Sequence, residues 1–350
     1  MSGADFKGGN DIPVWGSDEA KIKEKHVARF LEREYRALIE RPVDIEEISL
    51  CPNSGQLSEQ TKDLMDVHYD ERLEFFDSFL DRHYRAYTMA YYGKTPQEVK
   101  ESSLTLEEAQ GNKFRLICER IGLKGGERIL NIGCGFGSFE KYLFENYKDI
   151  EVVGVTPSIV QTAYLNECIS DKNHLFSKNG FKVVEKDLES LGDEDVEPGS
   201  FDVVTSIGLV CAIRNLRQLH EKVARYLKPG GKAFHHLIVS RPVIPQFLDP
   251  SKSLIGAYFP GGRIWPFEEL PKHTEELRLE KKWFINGMNY WTTLEEWHRR
   301  FWMNIDLLKE NLPEERIKFW NDYFILCKAC FSPGDGAYFG NGHYLFKKPE

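Results

Sequence analysis

One stretch constrains the fold more than any other: "RILNIGCGFGSFEKYL", residues 128–143. Its apolar run reads as a buried parallel strand, and Phe139, Tyr142 and Leu143 recur behind the glycines at helical spacing. Gly133, Gly135 and Gly137, at alternate positions, allow backbone conformations that a side chain forbids and let a ligand approach bare peptide. The helix that follows offers free N–H groups and a positive dipole end, so the loop is expected to hold an anionic group. Its spacing is GxGxG, not the GxGxxG of dinucleotide enzymes. The second strand, in "EVVGVTPSIVQ", ends in Thr156 where those enzymes place an acid for the ribose.

From Arg128 onward strands and helices alternate: a strand at 128–132, a helix, a strand at 151–155, a helix, a strand at 181–185, then "FDVVTSIG", a helix through "NLRQLHEKVARYL", and "KAFHHLIVS" after the turn "KPGG". The fold class is therefore α/β, a mostly parallel sheet with helices on both faces and ligands beyond the carboxyl ends of its strands. The amino-terminal third reads as helical after a polar leader. Ser17, Asp18 and Glu19 start a helix whose Ile22, Val27, Phe30, Leu31, Leu38 and Ile39 keep to one face until Pro42. "CPNSGQ" breaks the pattern, and helix resumes through "SEQTKDLMDVHYDERLEFFDSFLDRHY" and "TLEEAQGNKFRLICERIGL", ending at Gly125 and Gly126. After Ser240 a Pro- and Gly-rich stretch, too long for a plain connection, reads as a lid, followed by two aromatic-rich helices and a last strand at "GHYLFKK". The expected division is a helical extension over 1–60, a helical cap over 61–126 and a core over 127–350 with a lid or substrate insertion at about 240–335.

Composition excludes several classes. A formal charge of −9 argues against nucleic-acid binding, which rests on neutralising phosphates, and "EKKWF" and "WHRRF" read as solvated helix faces. The seven cysteines are scattered within apolar runs, as reduced thiols are. Cys327 and Cys330 form a CxxC without the second pair or the histidines a zinc site needs, so no metal is expected and both read as core residues of an apolar helix. No stretch reaches the roughly 18 apolar residues of a membrane helix, and "MSGADFKGGND" lacks the regions of a signal peptide, so the expected location is cytoplasmic.

"ILNIGCGFGSF", "VVGVTPSIVQ", "EKDLESL", "FDVVTSIG" and "YLKPGGKAF", in this order, resemble the class I, Rossmann-like S-adenosylmethionine-dependent methyltransferase fold. "HYDERLEFFDSFLD", "YTMAYY", "SLTLEEAQ", "YFPGG" and "NYWTTLEEW" are similar to the cyclopropane fatty acid synthase group, which includes the mycolic acid cyclopropane synthases and the coclaurine-type N-methyltransferases. The resemblance runs from about Val67 to the end. It implies that Gly133, Gly135 and Gly137 hold the amino acid part of S-adenosylmethionine, that Thr156 and Gln161 contact the ribose, and that Asp187, beside Leu188, accepts from the adenine amino group. Tyr87 and Thr88 would close over the cofactor, and Ile207 and Gly208 would line its pocket. Asn131 stands where the family has an acid.

The resemblance also implies a catalytic site, and there the chain departs from it. Cyclopropane synthases hold a bicarbonate, proposed as the base, with a Cys, a Glu, a His-x-Ile and a Tyr. Here the Cys is Met89 and the Glu is Cys211, followed by Ala212, while His236, Ile238 and Tyr290 are kept. Methyl transfer to an alkene leaves a carbocation that becomes a ring only when a base removes a proton, so these losses weigh against a held bicarbonate and against ring closure more than against methyl transfer. His236 and Tyr290, and after them His235 and Tyr91, are candidates for base or cation-stabilising roles. The expected function is methyl transfer to an unsaturated, lipid-like carbon. The alternatives are small-molecule N- or C-methylation and a non-catalytic S-adenosylmethionine-binding protein. Trp265, Trp283, Trp291, Trp297 and Trp302 suit a pocket for an apolar chain or a flat ring, and for most of them core packing is the expected role. The expected partners are a lipid or small-molecule acceptor, with peripheral membrane contact and a homodimer as further expectations.

Overall fold

The computed structural model describes residues 12–40, 51, 55–58, 61–69, 71–242 and 258–350. The polar leader, residues 52–54 of the expected break and residues 243–257 of the expected lid lie outside the described residues. Five strands run parallel: β1 (Arg128–Ile132), β2 (Glu151–Thr156), β3 (Lys182–Glu185), β4 (Phe201–Ile207) and β5 (Leu227–Ser240). A short β6 (Trp265–Pro266) pairs with the end of β5; β7 (Arg278–Asn286) and β8 (Phe339–Lys347) complete the sheet. The order is β3-β2-β1-β4-β5-β8-β7, with β8 antiparallel to both neighbours. Ile129 pairs with Val152 on one side and Val203 on the other, and residues 129–132 are buried in succession, so β1 is covered on both faces, as its near-continuous apolar run requires. The order reverses at β1, with β2 on one side and β4 on the other, and this switch point opens a cleft at the strands' carboxyl ends.

The helix Leu106–Ile121 begins in a capping box in which Thr105 and Glu108 satisfy each other's backbone N–H groups. It ends at Gly122, earlier than the Gly125 and Gly126 expected, because Gly122 takes φ +79° and its N–H closes on Cys118. Residues 61–84 form two short helices, Thr61–His68 and Leu73–Asp77, in place of the long one expected. Periodicity alone misses the turns between them.

The helix Asp18–Glu40 starts as expected, with Ser17 Oγ accepting from the Ala20 N–H at 3.2 Å, but Ile22 is 68% exposed and Ile39 49%. Its docking face is partly polar instead: Glu24 accepts from Trp291 Nε1 at 2.8 Å and pairs with Lys328 at 2.9 Å, and Lys23 pairs with Asp322 at 2.5 Å. These contacts tie it to two late helices, Met288–Met303 and Glu314–Phe331. "EKKWF" lies on β7, not on a helix, and Trp283 there covers the Arg120 guanidinium at 4.5 Å. Trp265 and Trp297 are fully buried, as is Trp320. Among the described residues no helix is long and apolar enough to cross a membrane.

Candidate active site

Beyond the ends of β1, β2 and β4 lies a cavity of about 1120 Å³, counting its open mouth. Tyr87, Thr88, Gly133, Gly135, Thr156, Gln161, Asp187, Leu188 and Ile207 all line it. At Gly135, with φ +59°, an added Cβ would meet nothing within 4 Å, so this peptide faces open space. Gly137 serves the loop differently. It caps the helix Ser138–Asn146 at φ +75°, and a Cβ there would stand 2.7 Å from the Phe176 ring, so packing demands the glycine.

Thr156 Oγ1 donates to Gln161 Oε1 at 2.6 Å, which leaves the Gln161 amide nitrogen as the end for another partner. Asp187 Oδ1 accepts from the Ser190 N–H at 2.7 Å and from Ser190 Oγ at 2.9 Å, so this acid caps a turn as well as lining the cavity. These are the donors and acceptors that a ribose and an adenine amino group require. The residues present fit S-adenosylmethionine.

Two residues of this lobe escaped the sequence reading. Arg85, at φ +52°, lines the cavity beside Ser138 and is anchored by Asp77 at 2.5 Å and the Tyr164 hydroxyl at 2.7 Å. It brings a cation to the helix start, suited to a carboxylate. Glu140 explains Asn131: the Asn131 amide donates to Glu140 Oε1 at 2.7 Å and accepts from Thr205 Oγ1 at 2.9 Å. Burial lifts the Glu140 carboxyl to about 7. Glu140 is fully buried and does not line the cavity, so it fixes the Asn131 amide from behind the loop.

A second cavity, of about 1010 Å³ counting its open mouth, shares Tyr69, Tyr87, Thr88 and Gly208 with the first. Its walls are largely aromatic, with His68, Tyr258, Phe259, Tyr290, Tyr323 and Phe331 around it, and no carboxylate lines it among the described residues. Met89, Cys211, His236, Ile238 and Tyr290, far apart in sequence, meet here, while Ala212 faces the first cavity. Burial pushes the Cys211 thiol up to about 12 and holds the Tyr290 hydroxyl well above the usual phenol range, so both keep their protons. Cys327 and Cys330 are free and line this lobe from the helix Glu314–Phe331, so they are more than core filling. None of the tryptophans lines it.

Two expected catalytic residues are not brought to the site. Tyr91 lines neither lobe; its N–H bonds the Ala109 carbonyl at 3.0 Å and its phenol feels the Arg120 charge. His235 points to the other face of the sheet, since strand neighbours alternate, and bonds Ser206 Oγ at 2.7 Å against the His220 ring. His236 sits in a buried chain instead. Arg120 Nη1 lies 2.6 Å from His343 Nδ1, His343 Nε2 lies 2.6 Å from His236 Nδ1, and Asn341 meets His236 Nε2 at 3.1 Å. Burial, with the Lys113 and Arg120 charges, holds His236 well below the usual imidazole range, so it is neutral. Lys113 is itself fully buried, bonding Thr88 Oγ1 and Gln110 Oε1 at 2.6 Å each, and burial lowers it to about 7.

The mostly parallel sheet with its switch-point cleft, GxGxG loop and acid after the third strand is the class I methyltransferase fold. More narrowly, the chain belongs to the mycolic acid cyclopropane synthetase family, whose model matches residues 56–338. It is 29% identical over 271 residues to the cyclopropane-fatty-acyl-phospholipid synthase of Escherichia coli K12, covering 77% of this chain but only 64% of that relative's length. It is 25% identical over 263 residues to the (S)-coclaurine N-methyltransferase of Thalictrum flavum subsp. glaucum, covering 71% of each. Among solved structures it resembles a coclaurine N-methyltransferase bound to N-methylheliamine and SAH, with TM-score 0.79, 22% identity and coverage of 95% of this chain and 99% of that one. A mycolic acid cyclopropane synthase complexed with SAH and CTAB gives TM-score 0.70 and 23% identity, covering 83% and 99%.

Proposed function

We propose that this chain transfers a methyl group from S-adenosylmethionine to an unsaturated, lipid-like carbon acceptor. The reading is carried by one observation: a lobe whose Thr156, Gln161 and Asp187 suit a nucleoside adjoins a lobe with largely aromatic walls across Tyr69, Tyr87, Thr88 and Gly208. When bound, the cofactor supplies an electrophilic methyl on a sulfonium. Gly133, Gly135, Thr156, Gln161, Asp187, Leu188 and Ile207 hold it, with Arg85 toward its carboxylate, Gly137 shaping the loop from behind, and Tyr87 and Thr88 at the seam. Tyr87, Tyr290 and Tyr323 line the acceptor lobe, and aromatic rings there favour a developing cation without a full negative charge. His236 offers a neutral polar contact beside them.

Met89 and Cys211 replace the residues that would anchor a bicarbonate, and neither carries charge here. The product of this reading is therefore a methylated or methylene chain rather than a ring. A second reading, N- or C-methylation of a small molecule, is compatible with the aromatic walls of the acceptor lobe, which suit a flat ring as well as an acyl chain. A binding-only role is the third. The proposal places the protein in the cytoplasm, as a homodimer touching membranes at their surface. Incubation with methyl-labelled S-adenosylmethionine, a total lipid extract and, separately, a polar metabolite pool tests it. Label in acyl chains is the expected result; label only in polar metabolites moves the reading to the second, and no label despite cofactor binding moves it to the third.

A further inference from the structure

Methylation of an alkene carbon leaves a carbocation that must lose a C–H proton, and the family's base site is altered here. Two imidazoles line the acceptor lobe, His68 and His236. Their hydrogen bonds decide which of them has a lone pair to offer. A guanidinium only donates, so Arg120 makes His343 Nδ1 an acceptor and places the ring proton on His343 Nε2. That proton occupies His236 Nδ1, which fixes the remaining hydrogen of the neutral His236 ring on Nε2. Asn341 then turns its amide oxygen to that N–H, and this oxygen finds no partner among the described residues in the opposite orientation. His236 therefore accepts at Nδ1 and donates at Nε2, so neither nitrogen has a free lone pair to offer.

His68 has the opposite outcome. It ends the helix Thr61–His68, is 1% exposed, and its Nε2 makes a very short contact with the backbone carbonyl of Tyr258. A carbonyl only accepts, so Nε2 carries the proton and Nδ1 keeps its lone pair. Nδ1 lies 3.4 Å from the Tyr87 hydroxyl, which stands at the seam of the two lobes and also bonds Tyr323. Catalytic hydrogen bonds of this length commonly tighten once substrate is present. The ring is held on edge by Trp320 at 5.3 Å and Tyr323 at 5.2 Å, so its orientation is fixed by packing.

We propose that His68, acting through the Tyr87 hydroxyl, takes up the proton lost by the methylated acceptor, and that Arg120 and His343 are positioning residues that keep His236 a hydrogen-bond donor. This rests on the alkene reading above. The π pair of the acceptor forms the new carbon–carbon bond as the methyl's bond to sulfur breaks. The neighbouring carbon becomes cationic, and an adjacent C–H bond returns its electron pair to form a double bond. Its proton passes to the Tyr87 oxygen while the phenol proton moves to His68 Nδ1. Burial, with the Arg316 charge nearby, holds the imidazole down to about 4 although the Tyr258 bond raises it. A proton beside a carbocation is far more acidic than such an imidazolium, so this weak base is strong enough.

The test separates the assignment from the reading. The full chain, ¹⁵N-labelled at histidine and saturated with S-adenosylhomocysteine, is measured by NMR, with His68→Asn, His236→Asn and His343→Gln assigning the signals. The expected spectrum has His68 protonated on Nε2 alone and His236 also protonated on Nε2, unchanged by His343→Gln, whose amide can accept from Arg120 and donate to His236. A proton on His68 Nδ1, or a bare His236 Nε2, overturns the proposal whatever the acceptor. With monounsaturated phospholipid vesicles as acceptor, His68→Asn lowers kcat about 100-fold or more while the calorimetric affinity for S-adenosylhomocysteine stays within about threefold. Turnover within threefold of the parent overturns the base assignment. Vesicles left unlabelled by the parent protein reject the lipid reading, and with it the proton-uptake role of His68, while the spectrum still decides the tautomers.

Discussion

The two lobes of the active site are built in different ways. The cofactor lobe is made by strand ends and the segments that leave them: Thr156 and Ile207 end β2 and β4, Gly133 and Gly135 follow β1, Asp187 follows β3, and Gln161 sits on the first turn of the helix after β2. The acceptor lobe draws single side chains from a short amino-terminal helix, from β5 and β8, and from the late helices around Tyr290 and Tyr323. A site made of backbone turns tolerates change in its neighbours, because its shape is fixed by the sheet. A site made of isolated side chains changes its chemistry with each of them, as Met89 and Cys211 show. The first lobe therefore carries what the class shares, and the second carries what distinguishes this chain.

The largest effect that would break this contrast lies in the first lobe. Gly135→Val forces a β-branched residue to φ +59° and fills space now open to the ligand. The expected result is cofactor binding weakened about 100-fold or more by calorimetry, with the fold intact by circular dichroism. Unchanged affinity would sink the loop assignment.

Tyr290→Phe probes the second lobe and should leave the first untouched. Its ring packs 4.5 Å from Phe331 and keeps that packing as phenylalanine, so only the hydroxyl is lost. A fall in kcat of about tenfold with nearly unchanged cofactor affinity is expected. Equal turnover would take Tyr290 off the list of groups at the reaction centre.

The same contrast explains what was legible in the sequence. Strand alternation and the glycine loop reveal the parallel sheet, because period and turn chemistry are local. β7 was not legible: "RLEKKWFIN" alternates weakly, and its pairing with β8 is a long-range choice. The helix Asp18–Glu40 was placed well but its face was not, since it docks partly through Glu24 and Lys23 rather than through Ile22. Within the cofactor lobe the residues carried over from motifs line the cavity, save Gly137, which packs behind it. Arg85 and Glu140 were missed, because a left-handed arginine and a carboxyl buried behind the loop have no motif of their own. In the acceptor lobe Tyr91 and His235 were misplaced by sequence adjacency, and the His68 and His343 contacts depend on partners 19 and 107 residues away in the chain.

The smallest effect concerns the seam between the lobes. Lys113 Nζ holds Thr88, which lines both cavities, and the Asp81 carboxylate is the charged group that supports it. Burial lowers this ammonium to about 7, far below its value in an unfolded chain. Between pH 7 and the ordinary lysine range the unfolded chain holds a proton there that the folded one has released, so folding stability contributed by this site rises with pH. Below pH 7 both states are protonated and the cost of burying the charge is present in full. Lys113→Met removes that titration. The parent minus variant difference in stability, from urea unfolding, should therefore increase between pH 7 and 9 by no more than about 1.4 kcal/mol per pH unit, the limit for one proton. If the difference is flat, Lys113 remains charged, and a cation stands permanently behind Thr88. Such a charge would oppose the positive charge that methyl transfer leaves on either acceptor, a carbocation or an ammonium, and the aromatic rings of the acceptor lobe would have to offset it.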